Sequence, residues 1–189
     1  LSGPAASAIG AHVLTKQAHL LALDMGGTTT DVAVVAEGML KVCDEGAVVG
    51  PWQTSVSAAD ILTTGLGGDS YVRVLEGGLK ISVGPERVIP LSFLAMRHPA
   101  AAEELAALAN SADADTPSPF VIEFFDLVGL RPGITLSDSE SRVFKALARG
   151  PLSRMQLAGA IGAVSFLLLP TARLEELGVI RRSAFTPTD

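Results

Sequence analysis

The stretch His19-Leu-Leu-Ala-Leu-Asp24-Met-Gly-Gly-Thr-Thr-Thr-Asp31-Val-Ala-Val-Val-Ala36 decides how this chain is read. The compact apolar run His19–Met25 predicts a buried strand that ends in Asp24, and Asp31–Ala36 predicts a second one. Gly26, Gly27, Thr28, Thr29 and Thr30 between them predict a turn. Glycines let a backbone turn tightly with its amides exposed, and threonine hydroxyls add further donors, so such a turn holds phosphate oxygens. A hairpin brings Asp24 and Asp31 to the same turn. Mg²⁺ keeps most of its waters and takes one or two carboxylates, so the pair suits a hydrated Mg²⁺ beside a phosphate. The same residues also fit a plain surface hairpin whose Asp and Thr side chains satisfy turn amides, and the spacing alone leaves both readings open.

Outward from this turn the punctuation is regular. Ser2-Gly3-Pro4 predicts a helix start, with Pro4 at the first helical position. Glu37-Gly38 and Met39–Cys43 extend the hairpin into a β-meander. Residues 44–64 are mixed. A second glycine-rich turn follows, Gly65-Leu66-Gly67-Gly68-Asp69-Ser70, in which Gly67 and Gly68 permit close backbone approach and Asp69 and Ser70 offer polar contacts. Tyr71–Glu76 and Leu79–Val83 flank Gly77-Gly78 as a hairpin, with Gly84-Pro85 closing it. Pro99–Ala109 predicts a helix and Asn110–Pro119 a polar linker, while Phe120–Leu130 fits strand or helix equally. Helices over 138–149, 153–161 and 171–177 and a short strand from Gly178 to Arg182 complete the chain.

Composition narrows the function classes. Apolar residues make up 48% and charged residues 18% of 189, a globular rather than a disordered balance. The net charge of −6 excludes a chain-wide basic footprint for nucleic acid or anionic membrane. Charge is uneven: residues 1–130 hold six Lys/Arg against fifteen Asp/Glu, a net of −9, and residues 131–189 hold eight against five, a net of +3. A single cysteine, Cys43, excludes an internal disulfide framework and a Cys-based zinc cluster and fits a small residue buried on a strand in a reducing, cytoplasmic setting. No apolar run reaches the length of a membrane span, and the first residues read as neither leader nor anchor. No catalytic residue is recognisable. His12, His19 and His98 are isolated, Ser70 lacks the G-x-S-x-G frame, and no P-loop, H-E-x-x-H or complete G-x-G-x-x-G occurs.

Three stretches in order resemble one family: Ser2-Gly3-Pro4-Ala5-Ala6, then Leu23–Val32, then Gly65–Ser70, with Gly84-Pro85-Glu86 after the hairpin. Over about residues 1–90 the chain resembles the hydantoinase/oxoprolinase family, the ATP-dependent hydantoinase A-type subunits of the actin/hexokinase/heat-shock-chaperone ATPase superfamily. The resemblance implies an α/β (α+β) chain whose residues 1–90 form part of an actin-like, ribonuclease H-like ATPase lobe. It implies ATP and Mg²⁺ as cofactors. Gly26, Gly27, Thr28, Thr29, Thr30, Gly65, Gly67, Gly68, Asp69 and Ser70 would bind the nucleotide, and Asp24 and Asp31 the metal. The family has two phosphate hairpins, and the one here resembles the second, which follows an SGPAA segment. The expected partners are therefore the remainder of a longer subunit with the first hairpin, a second enzyme subunit and a small cyclic amide, with no nucleic acid and no membrane. The implied reaction activates a cyclic amide carbonyl by phosphoryl transfer, before hydrolysis or carboxylation, and the 189-residue chain alone is expected to be inactive. A small-molecule kinase of the same superfamily and a nucleotide-responsive regulator are the rival readings.

Residues 91–135 read as a helical and linker connection. Residues 136–189 look like a winged-helix segment, three helices followed by Leu174-Glu-Glu-Leu-Gly-Val-Ile-Arg-Arg182. The place of a base-reading helix is taken by Ala163-Val-Ser-Phe-Leu-Leu-Leu-Pro170, which offers no Arg, Lys, Asn or Gln to a groove. Its run Phe166–Leu169 is expected to be buried, and the arginines and lysines of the tail to be scattered over several segments.

Overall fold

A computed structural model describes residues 2–43, 46, 48–49, 51–53, 58–75, 80–111 and 122–189. The chain is a mixed α/β protein whose contacts divide it into two compact units, Leu1–Gly68 and Asp69–Asp189.

The first unit opens with α1 (Ser2–Thr15) and continues through β1 (Leu20–Met25), β2 (Thr30–Ala36) and β3 (Met39–Leu40). Short strands follow: β4 (Val42–Cys43), β5 (Val48–Val49), β6 (Trp52–Gln53), β7 (Ala58–Ala59) and β8 (Ile61–Thr64). β1 pairs antiparallel with β2, and the far edge of β2 carries both β3 and β8. The Glu37-Gly38 turn has both residues at positive φ, +53° and +76°, as a tight two-residue hairpin turn demands. Small residues let α1 lie close on one face of this sheet. Ala8 packs against Ala33 and Val35, with Leu20, Ala22, Leu40 and Ile61 around them. The opposite face is open: Leu21, Leu23 and Met25 of β1 are 59%, 65% and 54% exposed. The expected buried strand is therefore half-buried, because strand side chains alternate between faces and only one face has a cover.

The second unit begins with the antiparallel pair β9 (Ser70–Leu75) and β10 (Lys80–Arg87). The expected turn at Gly77-Gly78 lies outside the described residues. The strand does not stop at Val83: a register shift between Val83 and Arg87 carries it through Gly84-Pro85, with Gly84 at φ +59°. Next come β11 (Ile89–Pro90), α2 (Leu91–Arg97), which the sequence reading did not foresee, and α3 (Pro99–Ser111). The expected linker lies mostly outside the described residues. Its first two residues, Asn110 and Ser111, end α3. The ambiguous segment 120–130 contains strand β12 (Phe124–Leu127). Then follow α4 (Asp138–Leu147), β13 (Leu152–Ser153), α5 (Arg154–Ile161), α6 (Ala172–Glu176) and β14 (Ile180–Ala184).

The sheet order is β11-β14-β12-β13, with β14 parallel to β11 and antiparallel to β12. Residues 136–189 thus share one sheet with residues far upstream. Phe125, Val143, Leu147, Leu157, Leu174 and Ile180 form the main core, while Leu91, Leu94 and Ala101 pack with Phe124 in a second cluster. Two of the helices are fixed by side-chain caps. Ser137 and Glu140 form a capping box on α4, and Ser153 and Gln156 form one on α5. The apolar run Phe166–Leu169 departs from expectation: Leu167 is 53% and Leu168 81% exposed, and only Leu169 of the four joins the core. Gly162 ends α5 in a left-handed cap, so the following segment is a turn rather than a helix with one buried face. Among the described residues no helix is long and apolar enough to cross a membrane.

Candidate functional site

The β1–β2 register places Asp24 directly opposite Asp31. Their pair shares the face of Ala22, Ala33, Leu20 and Val35, the face that α1 covers. The two carboxylates therefore end the covered face at the turn, and they open into a groove of about 300 Å³ with Pro4, Ser7 and Ala11 of α1. Ser7 Oγ donates to Asp24 Oδ2 at 2.6 Å, and Thr63 Oγ1 of β8 donates to Asp31 Oδ1 at 2.5 Å. Thr63 reaches Asp31 because the two are register partners across β2 and β8. Among the described residues no Lys, Arg or His forms an ion pair with either aspartate. Like charges directly opposite on a sheet repel, so this pair holds uncompensated negative charge.

The turn beside it is built to expose amides. Gly26, Gly27 and Thr28 are exposed, and Thr29 is half-buried. Gly26 N–H donates to Thr29 O at 2.9 Å, which closes the turn, while among the described residues no protein acceptor meets the N–H of Gly27, Thr28 or Thr29. Three successive amides are thus left without a protein acceptor beside threonine hydroxyls, the donor set from which anion-binding turns are made.

The second glycine turn seats on the first. Gly68 N–H donates to Gly26 O at 2.8 Å, and Thr30 Oγ1 donates to Leu66 O at 2.6 Å. A Cβ on Gly67 would stand 2.6 Å from Gly27 C and 2.7 Å from Thr28 C, backbone atoms that have no room to yield. Glycine at 67 is required by this close approach, as the sequence suggested. Thr30 is buried, and its hydroxyl proton goes to the loop. Ser70 is fully buried, and the Asp69 carboxylate is held by Arg87 Nη2 at 3.0 Å, both within the second unit.

Sequence reasoning missed Ser7 and Thr63. Ser7 had a signal: Pro4, Ser7 and Ala11 recur at helical spacing and share the face turned to β1. Thr63 had none, since its position depends on a pairing across about thirty residues of mixed sequence. A buried ionic cluster in the second unit was missed as well. Glu123, with no exposed surface, accepts from Tyr71 Oη and from Arg154 Nε, the latter at 2.6 Å. Burial, and then the hydrogen bond to Glu123, push the Tyr71 hydroxyl pKa up.

Residues 1–90 match the family model described as hydantoinase/oxoprolinase. Over this segment, just under half of the chain, the sequence is similar to that family. Over 86 residues, 44% of the chain, it is 30% identical to the acetophenone carboxylase gamma subunit of Aromatoleum aromaticum. A nucleotide-free structure of acetone carboxylase, studied for ATP-dependent acetone carboxylation, matches with a TM-score of 0.41 and 18% identity over 93% of this chain and 23% of that one. The chain spans about 12% of the length of the curated relative it matches.

Proposed function

We propose that the hairpin Asp24–Asp31 and the glycine turn 65–68 form the phosphate- and Mg²⁺-holding part of a nucleotide site, in a subunit of an ATP-dependent enzyme that activates a carbonyl compound. The observation that carries this reading is the uncompensated Asp24–Asp31 pair beside three free turn amides. Two carboxylates suit Mg²⁺, which takes few protein ligands and completes its shell with water and phosphate oxygens. Asp24 and Asp31 would hold the ion, directly or through its waters. Ser7 and Thr63 orient the two carboxylates, and the N–H groups of Gly27, Thr28 and Thr29 would cradle phosphate oxygens. Bound Mg²⁺ would neutralise phosphate charge during transfer. Thr30, Gly67 and Gly68 fix the loop against the turn, and Asp69 and Ser70 are assigned to anchoring the start of the next strand.

The similarity to that family and to the acetophenone carboxylase gamma subunit supports activation of a ketone or cyclic amide carbonyl by phosphoryl transfer, ahead of carboxylation or hydrolysis. The reading includes an actin-like lobe over residues 1–90 and a winged-helix-like order in α4-β13-α5-α6-β14. It also includes a longer cytoplasmic parent subunit that supplies a first phosphate hairpin, and a second subunit beside it. The test is ATP turnover of the parent enzyme carrying Asp24→Asn. The variant is expected to stay folded and to lose substrate-dependent turnover by at least about a hundredfold, the scale of removing one electrostatic contact to a transferring group. Turnover near the wild-type rate would overturn the assignment.

A further inference from the structure

We propose that the α4–α5 face of the second unit is a docking groove for an acidic polypeptide segment that carries an apolar anchor. Arg142, Lys145 and Arg149 follow one another at helical spacing along and just beyond α4, and all three are exposed. They line one groove of about 480 Å³ with Ala146, Leu152 and Ala160. Among the described residues none of the three has an ion-pair partner, and no Asp or Glu lines the groove. The sequence expectation of scattered cations is corrected here, since three of them share one face.

Such an arrangement works against helix stability. Residues three and four apart lie about 5–6 Å from each other on a helix, and like charges there cost a few tenths of a kcal/mol per pair. The helix dipole repays cations only in the last turn, which serves Lys145 and Arg149 but not Arg142. Asp138, one turn before Arg142, forms no ion pair with it.

Arg142 also lines a second groove of about 400 Å³, so its side chain borders both. That groove is apolar: Ile161, Ala163, Val164, Leu168 and Pro170 contribute to its wall. Val164 is fully exposed and Leu168 is 81% exposed. A row of three unpaired cations that runs into two bare aliphatic side chains matches an occupant with the same two-part chemistry. Carboxylates on alternate residues of an extended peptide stand about 6.6 Å apart, on the scale of the about 5–6 Å between side-chain origins three and four positions apart on a helix. An apolar residue at one end would then fall on Val164 and Leu168. Nucleic acid fits less well, because the groove offers no Asn, Gln or exposed aromatic ring for base edges or stacking.

The test titrates the full 189-residue chain with a fluorescein-labelled peptide bearing glutamates on alternate positions and one terminal leucine, read by anisotropy at about 150 mM salt. Wild-type protein is expected to bind it. The triple variant Arg142→Glu/Lys145→Glu/Arg149→Glu is expected to weaken binding at least tenfold. Val164→Ser/Leu168→Ser, which changes no charge, is expected to weaken it severalfold, as is replacing the peptide leucine by serine. All five protein positions are exposed, so unchanged circular dichroism serves as the folding control. Absent binding, affinity unaffected by either variant, or tighter binding of a single- or double-stranded oligonucleotide than of the peptide would each overturn the proposal.

Discussion

Asp24 and Asp31 stand directly opposite each other across β1 and β2, each carboxylate accepting a hydroxyl proton, Asp24 from Ser7 and Asp31 from Thr63. The hydroxyls orient the carboxylates without neutralising them. A fold selected for stability alone would place a lysine or a threonine opposite an aspartate, since like charges directly across a sheet cost up to about 1 kcal/mol.

Neutralising one partner should therefore relieve the free chain. Asp31→Asn keeps an oxygen to accept from Thr63 and removes the repulsion. Its urea midpoint at low salt is expected to rise by the equivalent of about 0.2–1 kcal/mol. The gain should shrink at about 1 M salt, where the Debye length falls to about 3 Å. A loss of stability instead would mean that the charge at 31 serves the fold.

This site was partly legible because its decisive contacts are local. The Asp24–Asp31 pairing follows from two apolar runs and a four-residue loop, and a hairpin register needs no distant information. Gly67 was legible as a close-approach residue but not in its target, Gly27 and Thr28, which lie about forty positions back. Thr63 and Glu123 were illegible for the same reason. Their roles come from pairings between segments whose spacing the sequence does not encode. The open face of β1 was misjudged because an apolar strand reads alike whether one face or two are covered.

Gly67 and Gly26 separate two uses of glycine. Gly67→Ala forces a Cβ to within 2.7 Å of backbone in the first turn, so either the loop or the hairpin must move. The expected cost is about 1–3 kcal/mol, the range for overpacking a tight contact. At Gly26 the nearest atom to an added Cβ is Thr29 O at 3.8 Å, ordinary contact, and φ there is not positive. Gly26→Ala is expected to change stability by less than about 0.5 kcal/mol. Equal effects in paired urea titrations would contradict the close approach.

Glu140 gives the second unit an acid-sensitive helix start. Its carboxylate accepts from the Ser137 backbone N–H at 2.7 Å and from Arg173, which together hold its pKa at about 2 against an ordinary value of 4.5. A depressed folded-state pKa contributes stability that is present above pH 4.5 and is lost as pH falls toward 2. Over that window the wild-type urea midpoint should fall faster than that of Glu140→Gln, which retains an acceptor but cannot titrate. Parallel curves for the two proteins would remove Glu140 as the cause.

The cluster at Glu123 should respond more strongly than any surface pair. Glu123 is fully buried and the Arg154 side chain is 8% exposed. The Arg154 guanidinium packs over the Phe125 ring and also donates from Nη1 to Phe166 O at 3.2 Å. Glu123→Leu removes the carboxylate but leaves the Arg154 charge in the core, a change that costs about 3–5 kcal/mol for a broken buried pair. It also strands the Tyr71 hydroxyl. If the cost comes from the stranded charge, replacing both partners should recover much of it, because an apolar pair of similar volume is often neutral against a buried ion pair. The double variant Glu123→Leu/Arg154→Met is thus expected to be more stable than Glu123→Leu alone by about 2 kcal/mol or more, with the Tyr71 loss remaining. A urea-unfolding cycle of wild type, both single variants and the double measures this directly. Strictly additive losses would show that Glu123 and Arg154 act independently, and that packing rather than charge pairing holds β12 against α5.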